Sequence, residues 1–541
     1  MLDLYDKLRR YGESDVYPFH MPGHKRGGAV SMEDPYRLDI TEIDGFDDLN
    51  HPEEFFREAM EEAARLYGTK ATLFGVNGSS GALLAAIHGS VPRGGAVLLA
   101  RNCHKAVYNA VLIRGLKPYY VLPEKLQLPA RGNDGPVFWG SVSPLALEES
   151  LRSAEEKERR AGNSAGVRLV VVTSPSYEGV VSDIAALSEV AHRHGARLLV
   201  DEAHGAHLPF LREQQETARG NVCSAARKVT DQGNGAHGGY FPASAIAQGA
   251  DLVVQSLHKT MPALTQTALL HVCAEEPDPE HFRECMRIYQ TSSPSYVLSV
   301  SIMQAISWGW KNPEKMIEYE RRIRAFREEA ALWKHVRLYR GEGAFAYDPG
   351  KLVVYDESGS FTGAELHELL RTRFHLQPEM HGERHVLLMT SPADTEAGFA
   401  RLLAALAEID RRISEKESEL AQEPRKKPEG READEKQAMI ETATGSSWMM
   451  DAEAVAIELL PEQAMLPATA AEAGTQTIPL ANAAGRVSAE FVYVYPPEIP
   501  ILVPGERITE ELLTYINRLC RQGRKIRGTA DVSGKRVRVC I

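Results

Sequence analysis

Short apolar runs without polar alternation recur between helical stretches at residues 96–100, 118–122, 167–173, 197–200 and 252–254. A strand half exposed to water alternates in polarity, whereas a strand covered on both faces does not. The helical patterns between the runs fall at 104–113, 144–160 and 184–194. Repeated strand and helix units of this kind predict an α/β fold built on a mostly parallel, doubly covered sheet. In such sheets ligands gather outside the carboxyl ends of the strands. Four strand ends here carry reactive groups: Asn102-Cys103-His104-Lys105, Thr173-Ser174-Pro175-Ser176-Tyr177-Glu178-Gly179, Asp201-Glu202-Ala203-His204-Gly205-Ala206-His207, and Ser256-Leu257-His258-Lys259.

Lys259 leaves a buried strand and is followed at once by Thr260 and soon by Pro262. Desolvation there lowers an amine's pKa and makes it a nucleophile suited to a Schiff base with a carbonyl. Earlier in the chain, Asn77-Gly78-Ser79-Ser80-Gly81 opens an apolar helix. Small residues at a helix start leave N–H groups free for an anion, although Ser79 taken alone also reads as a plain N-cap. No Lys-Ser/Thr pair follows those glycines, so this is not a phosphate loop of the nucleotide-hydrolysing type. The Asp201-Glu202-Ala203-His204 string, which spells a helicase signature, therefore lacks its necessary companion. His192, His194, His204 and His207 lack helical metal-ligand spacing, and no metal site is expected.

The chain has 541 residues, enough for two or three domains, and its 62 basic against 74 acidic residues give a net charge of −12. That balance argues against nucleic acid as a partner. No apolar signal segment opens the chain and no run approaches a membrane span, so a soluble cytoplasmic protein is expected. Six scattered cysteines without C-x-x-C spacing signal neither a disulfide framework nor zinc.

Pyridoxal phosphate accounts for all four strand ends, because it needs a lysine, an acid beside its ring nitrogen, an anion cradle and a group against its ring. Lys259, Asp201, the Ser79/Ser80 helix start with Ser256, and His104 meet those needs in turn. With His20-Met21-Pro22-Gly23-His24, the acids of 39–48, Pro262-Ala263-Leu264-Thr265-Gln266, and Tyr495-Pro496-Pro497-Glu498-Ile499-Pro500 added, the sequence resembles the Orn/Lys/Arg decarboxylase family of aminotransferase type I fold. The resemblance covers about residues 1–412 and resumes in the C-terminal segment. It implies decarboxylation of a basic L-amino acid, arginine or lysine before ornithine, to an amine that feeds polyamine synthesis. It also implies Lys259 as the cofactor-bearing lysine, His258 as an active-site histidine, Asp201 as the partner of the ring nitrogen and His204 as the partner of the ring hydroxyl. His104 matches the histidine over the ring, and Ser79, Ser80, Gly81 and Ser256 match the phosphate contacts. A fold-related aminotransferase and a non-catalytic pyridoxal-phosphate sensor stay open as alternatives.

A cationic side chain needs a carboxylate partner. Glu379 resembles a family position near the substrate, and Glu42 and Asp44 rival it, from the same or a neighbouring subunit. The expected division is 1–335 for an N-terminal segment and large domain, 338–412 for a small α/β domain, 413–446 for a charged linker, and 447–541 for a C-terminal domain. The stretch between Leu211 and Gly238 reads as an inserted surface loop, and 521–538 as an alternating strand pair. No wing-like domain precedes the first helix, so a homodimer or a dimer-based oligomer is expected.

Overall fold

A computed structural model describes residues 2–541 except 28, 33, 132–134, 164, 212–239, 276–277, 423–459, 495–497, 522–523, 525 and 532. The expected loop between Leu211 and Gly238 thus lies, apart from its first residue, outside the described residues. Seven strands form the central sheet: β1 (Ala71–Gly75), β2 (Ala96–Ala100), β3 (Lys117–Val121), β4 (Val167–Thr173), β5 (Arg197–Asp201), β6 (Leu252–Ser256) and β7 (Ala268–Val272). Their order is β1-β7-β6-β5-β4-β2-β3. Only β7 runs antiparallel to its neighbours. The sheet is therefore mostly parallel, as its unbroken apolar runs require.

Helices cover it: α1 (Gly78–Ser90), α2 (Lys105–Arg114), α3 (Pro144–Arg160) and α4 (Ile184–Arg193). Val97, Leu98 and Leu99 of β2 and Val170, Val171 and Val172 of β4 are all fully buried. Each such side chain contributes about 1.5–3 kcal/mol of transfer free energy, which specifies the register of the inner strands. The helix at Phe55–Tyr67 stops at Gly68, whose φ of 70° is the left-handed cap that glycine tolerates best.

A four-stranded antiparallel sheet of Val336–Leu338, Lys351–Asp356, His385–Met389 and Met380–His381 forms the small domain. The buried end of its long helix, Glu396–Gln422, supplies Asp410, which accepts hydrogen bonds from the backbone of Lys334 (3.1 Å), His335 (2.6 Å) and Val336 (2.9 Å). That helix continues past residue 413, so the first ten residues of the expected linker are helical; the rest, 423–446, lies outside the described residues.

The C-terminal domain has its own core, with Val492, Leu502, Leu512, Ile516, Val537 and Val539 all buried. The expected strand pair within 521–538 is corrected here. Ile526–Arg527 pairs with Val492–Val494, and Arg536–Cys540 pairs with Thr475–Pro479. Alternation identified a half-exposed strand at 536–540 but carried no information about its partner. A buried ion pair, Arg101 with Glu506 at 3.2 Å, fastens this domain beside the end of β2.

Candidate active site

The carboxyl ends of β2, β4, β5 and β6 open on one cavity of about 350 Å³. Its wall includes Ser79, Ser80, His104, Asp201, His204, His258, Lys259 and Glu379. Lys259 lies in a single helical turn, Leu257–Thr260, directly after β6. Its amine stands 2.9 Å from His204 Nε2. Burial holds that amine below the ordinary lysine range, while Asp201, Glu379 and Glu498 act in the opposite sense. Asp201 ends the neighbouring parallel strand, in register with Val254. Burial pushes its carboxyl up, and the charges of Lys259 and His104 pull it back. Its one recorded hydrogen bond comes from Ala203 N at 3.2 Å, which leaves room for a cationic donor.

His204 is held well below the usual histidine range by burial and then by Lys259, and so is neutral. His258 is lowered to about 4 by burial, opposed by its bond to Thr267. Its Nδ1 lies 3.1 Å from Thr267 O, and because a carbonyl only accepts, Nδ1 carries the proton and Nε2 the lone pair.

At the start of α1 the N-cap is Asn77, not Ser79, and its side chain makes no capping bond. Asn77 Nδ2 instead donates to Tyr289 O at 3.0 Å. Ser79 and Ser80 thus bring first-turn N–H groups and hydroxyls to the cavity with the positive end of the helix dipole behind them. Gly81, one residue on, and Ser256, at the end of β6, are not on the cavity wall. The buried Ser256 Oγ has no hydrogen-bond partner among the described residues, and the same holds for three groups on the wall, Asn102 Oδ1, Thr173 Oγ1 and His204 Nδ1. Buried polar groups are rarely left in this state unless something else satisfies them.

Glu379 reaches the cavity from the turn after Leu376–Pro378, accepting from Tyr177 OH at 2.6 Å and Met21 N at 2.9 Å. Both donors are neutral, and among the described residues Glu379 makes no ion pair, although it acts at longer range on the amines of Lys259, Lys351 and Lys25. The loop that carries Met21 is fastened by Gly23, which donates to His258 O at 2.7 Å. A Cβ at Gly23 would sit 2.8 Å from Met261 O, so only glycine permits this approach. Lys25 is a fastening too, donating to Pro18 O, His20 O and Met389 O.

The acids of 39–48 are not on this chain's cavity wall. Asp47 caps the helix at Phe55–Tyr67 through the backbone of Glu53, Glu54 and Phe56. Asp44 is exposed, and Glu42 is half-buried. Within one subunit, then, Glu42 and Asp44 do not join Glu379. The four histidines weighed as metal ligands are dispersed: His192 pairs with Asp251, His194 with Glu148 and Glu155, His204 with Lys259, and His207 with Asp348. Trp139 and Tyr177 also line the cavity. Trp139 ends the strand Val137–Trp139 of a separate two-stranded sheet with Lys125–Gln127 and gave no signal in the sequence, whereas Tyr177 lay inside a strand-end motif without an assigned role.

Residues 3–339 match the family described as Orn/Lys/Arg decarboxylase, major domain, and residues 450–537 match its C-terminal domain. An arginine decarboxylase of Bacillus subtilis is 28% identical over 99% of this chain and 97% of its own length. Among solved structures, the lysine decarboxylase LdcF of Francisella novicida superposes with a TM-score of 0.71 at 19% identity, covering 99% of this chain and 80% of that one. A high-resolution structure of SPT with PLP matches at a TM-score of 0.50 and 17% identity, over 74% of this chain and 87% of that one.

Proposed function

Because the chain belongs to the Orn/Lys/Arg decarboxylase family, we propose that its cavity uses pyridoxal phosphate to remove the α-carboxylate of a basic L-amino acid, arginine first and lysine second. The observation that carries this reading is the pairing of Lys259 and Asp201 at the ends of adjacent parallel strands on one cavity wall. The residues present fit the cofactor. Lys259, with its lowered amine pKa, is the group to hold the aldehyde. Asp201, buried and lacking a cationic hydrogen-bond donor, is the group to hold a protonated ring nitrogen. The start of α1 is the cradle for the phosphate. The orphaned Asn102 Oδ1 and His204 Nδ1 mark polar positions that a bound group would satisfy.

When bound, pyridoxal phosphate supplies an electron sink for the bond to the departing carboxylate. The chain's own residues do the rest. Asp201 keeps a proton on its partner atom by opposite charge. His104, capping α2 through a hydrogen bond from Ala106 N at 3.2 Å, presents a fixed imidazole to the cavity. His258, neutral with its lone pair on Nε2, and Lys259 are the groups able to move a proton at the substrate carbon. Glu379 offers the cationic side chain a carboxylate that no cation already occupies.

The amine product is one that enters polyamine synthesis, and the working unit is a cytoplasmic homodimer. Exposed apolar side chains at Leu4, Tyr5, Leu8, Tyr36, Ile43 and Phe46 support association through the N-terminal segment. Glu42 and Asp44 lie in that segment and are candidates for the neighbouring subunit's cavity. The test mixes the purified chain and pyridoxal phosphate with arginine, lysine or ornithine, and measures carbon dioxide and the matching amine. Arginine is expected to give both. Transfer of the amino group to a keto acid would instead make the protein an aminotransferase, and a spectral change without turnover would make it a sensor.

A further inference from the structure

Among the described residues of the C-terminal domain, Glu498 and its neighbour Ile499 reach the cavity wall. It stands just before Pro500–Leu502, the strand antiparallel to Val492–Val494. Its backbone has φ +65°, a conformation that L side chains avoid and that persists when contacts on both sides impose it. Lys105 N donates to Glu498 O at 3.2 Å, and Lys105 Nζ meets Glu498 Oε2 at 2.6 Å. His104 Nε2 lies 3.4 Å from the same oxygen. His104 first and Lys105 after it hold the carboxyl down to about 2, so it is ionised across the working range.

The imidazole of His104 is thereby addressed at both nitrogens. Nδ1 accepts from Ala106 N at 3.2 Å, which requires that nitrogen to be unprotonated in the neutral ring. The proton then sits on Nε2, 3.4 Å from a carboxylate oxygen. A carboxylate behind a histidine fixes tautomer and ring orientation, the arrangement that positions imidazoles in other catalytic and metal sites. We propose that Glu498 is a positioning residue: the C-terminal domain lends a carboxylate that locks the His104 ring in one tautomer and one orientation over the cofactor pocket. The proposal rests on the cofactor reading above, in which His104 faces the ring. Glu498 is distinct from Glu379 in this respect. Lys105 already pairs with Glu498, whereas Glu379 takes its hydrogen bonds from neutral donors and makes no ion pair among the described residues.

The experiment compares Glu498→Gln, Glu498→Ala and Glu498→Gly in the full chain. Glycine accepts the left-handed backbone without strain, so its thermal midpoint is expected to equal or exceed that of the alanine variant. Histidine-selective 15N spectra of the cofactor-free chain, with the His104 signal assigned by its loss in His104→Asn, report the tautomer. Kinetics of the loaded enzyme report the consequence. Ala and Gly are expected to lose the single Nε2–H tautomer and to lower kcat about tenfold to a hundredfold, with KM within about twofold. Gln, which keeps an acceptor oxygen, is expected to preserve the tautomer and recover most of kcat. An unchanged His104 signal in Ala and Gly overturns the proposal, and so does a change confined to KM, which would make Glu498 a substrate contact. If the parent chain decarboxylates no basic amino acid, the functional reading fails, while the His104 spectra still decide whether Glu498 positions that ring.

Discussion

The buried pair Arg101–Glu506 yields an asymmetric prediction about its two halves. Both side chains are almost fully enclosed. Arg101 donates to Tyr108 OH (2.9 Å), Ile501 O (3.1 Å) and Glu506 Oε2 (3.2 Å), and that same carboxylate oxygen accepts from Val503 N at 2.8 Å. Removing one partner of a buried pair typically costs about 3–5 kcal/mol, because the other charge is stranded. The two strandings differ in kind. Glu506→Gln strands a guanidinium that cannot give up its proton, so its cost should be about 3–5 kcal/mol. Arg101→Met strands a carboxyl that burial already pushes up and that Arg101, ahead of the Val503 backbone, was drawing down, so it can bind a proton instead. Holding that proton at pH 7 costs roughly 4 kcal/mol, since the ordinary pKa lies ~2.7 units lower at about 1.4 kcal/mol per unit. The sign follows from linkage. In Arg101→Met the folded carboxyl has a raised pKa, so the folded state binds more protons than the unfolded one between about pH 4.3 and that pKa. The variant's deficit therefore shrinks as pH falls from 7, by about 1.4 kcal/mol per unit. Denaturant unfolding of the full chain at pH 5, 6 and 7, followed through the transition that these variants shift, measures both costs. A pH-independent deficit in Arg101→Met, or a loss below about 1 kcal/mol in Glu506→Gln, refutes the reasoning.

Other consequences are more direct. Lys259→Ala should abolish decarboxylation together with the visible absorption of the lysine-bound cofactor, and survival of that absorption would move the attachment to another amine. Glu379→Gln keeps the bonds from Tyr177 and Met21 within reach but removes the charge. It should raise KM for the basic substrate roughly tenfold to a hundredfold, the worth of a charged hydrogen bond, as steady-state kinetics would show. His271, buried between Thr72 and Gln255, is lowered by burial to about 3. Its folded pKa lies below the unfolded value, so its contribution is complete above about pH 6.5 and is lost as pH falls toward 3, at about 1.4 kcal/mol per unit. His271→Gln should flatten the acid limb of the stability curve by that slope, even if it lowers stability at pH 7.

The strand ends were legible in the sequence because burial on both faces forbids polar alternation. Hence β2 and β4 fall on the runs at 96–100 and 167–173. Three features were hidden, each for a physical reason. Strand β7 was missed because His271 interrupts its apolar run and polar residues surround it; the imidazole is buried only because Thr72 and Gln255 on the neighbouring strands satisfy it. Helix α1 begins four residues before the apolar stretch at Ala82, since glycine and serine in its first turn have low helix propensity and mask it. The acids of 39–48 and Glu379 looked alike as carboxylates. What separates them is three-dimensional: Asp47 is consumed as a helix cap, whereas Glu379 has only neutral donors around it.

Charge on the cavity wall bears on the choice between decarboxylation and amino-group transfer. Three carboxylates from three parts of the chain act on the Lys259 amine: Asp201 from the central sheet, Glu379 from the small domain and Glu498 from the C-terminal domain. Glu498 is answered by Lys105, and Asp201 by Lys259. Glu379 makes no ion pair among the described residues and takes its hydrogen bonds from Tyr177 and Met21. A transferase that also accepts a keto acid needs a cation, ordinarily an arginine, for the second carboxylate. Among the described residues lining this cavity there is no arginine, and the one lysine is Lys259. A substrate with a positively charged side chain completes such a wall, whereas a dicarboxylate would meet repulsion from Glu379 in a partly desolvated site. Introducing the opposite charge tests this directly: Glu379→Lys should lose the basic substrate altogether, and if turnover of arginine persisted, recognition of the side chain would have to lie with another carboxylate.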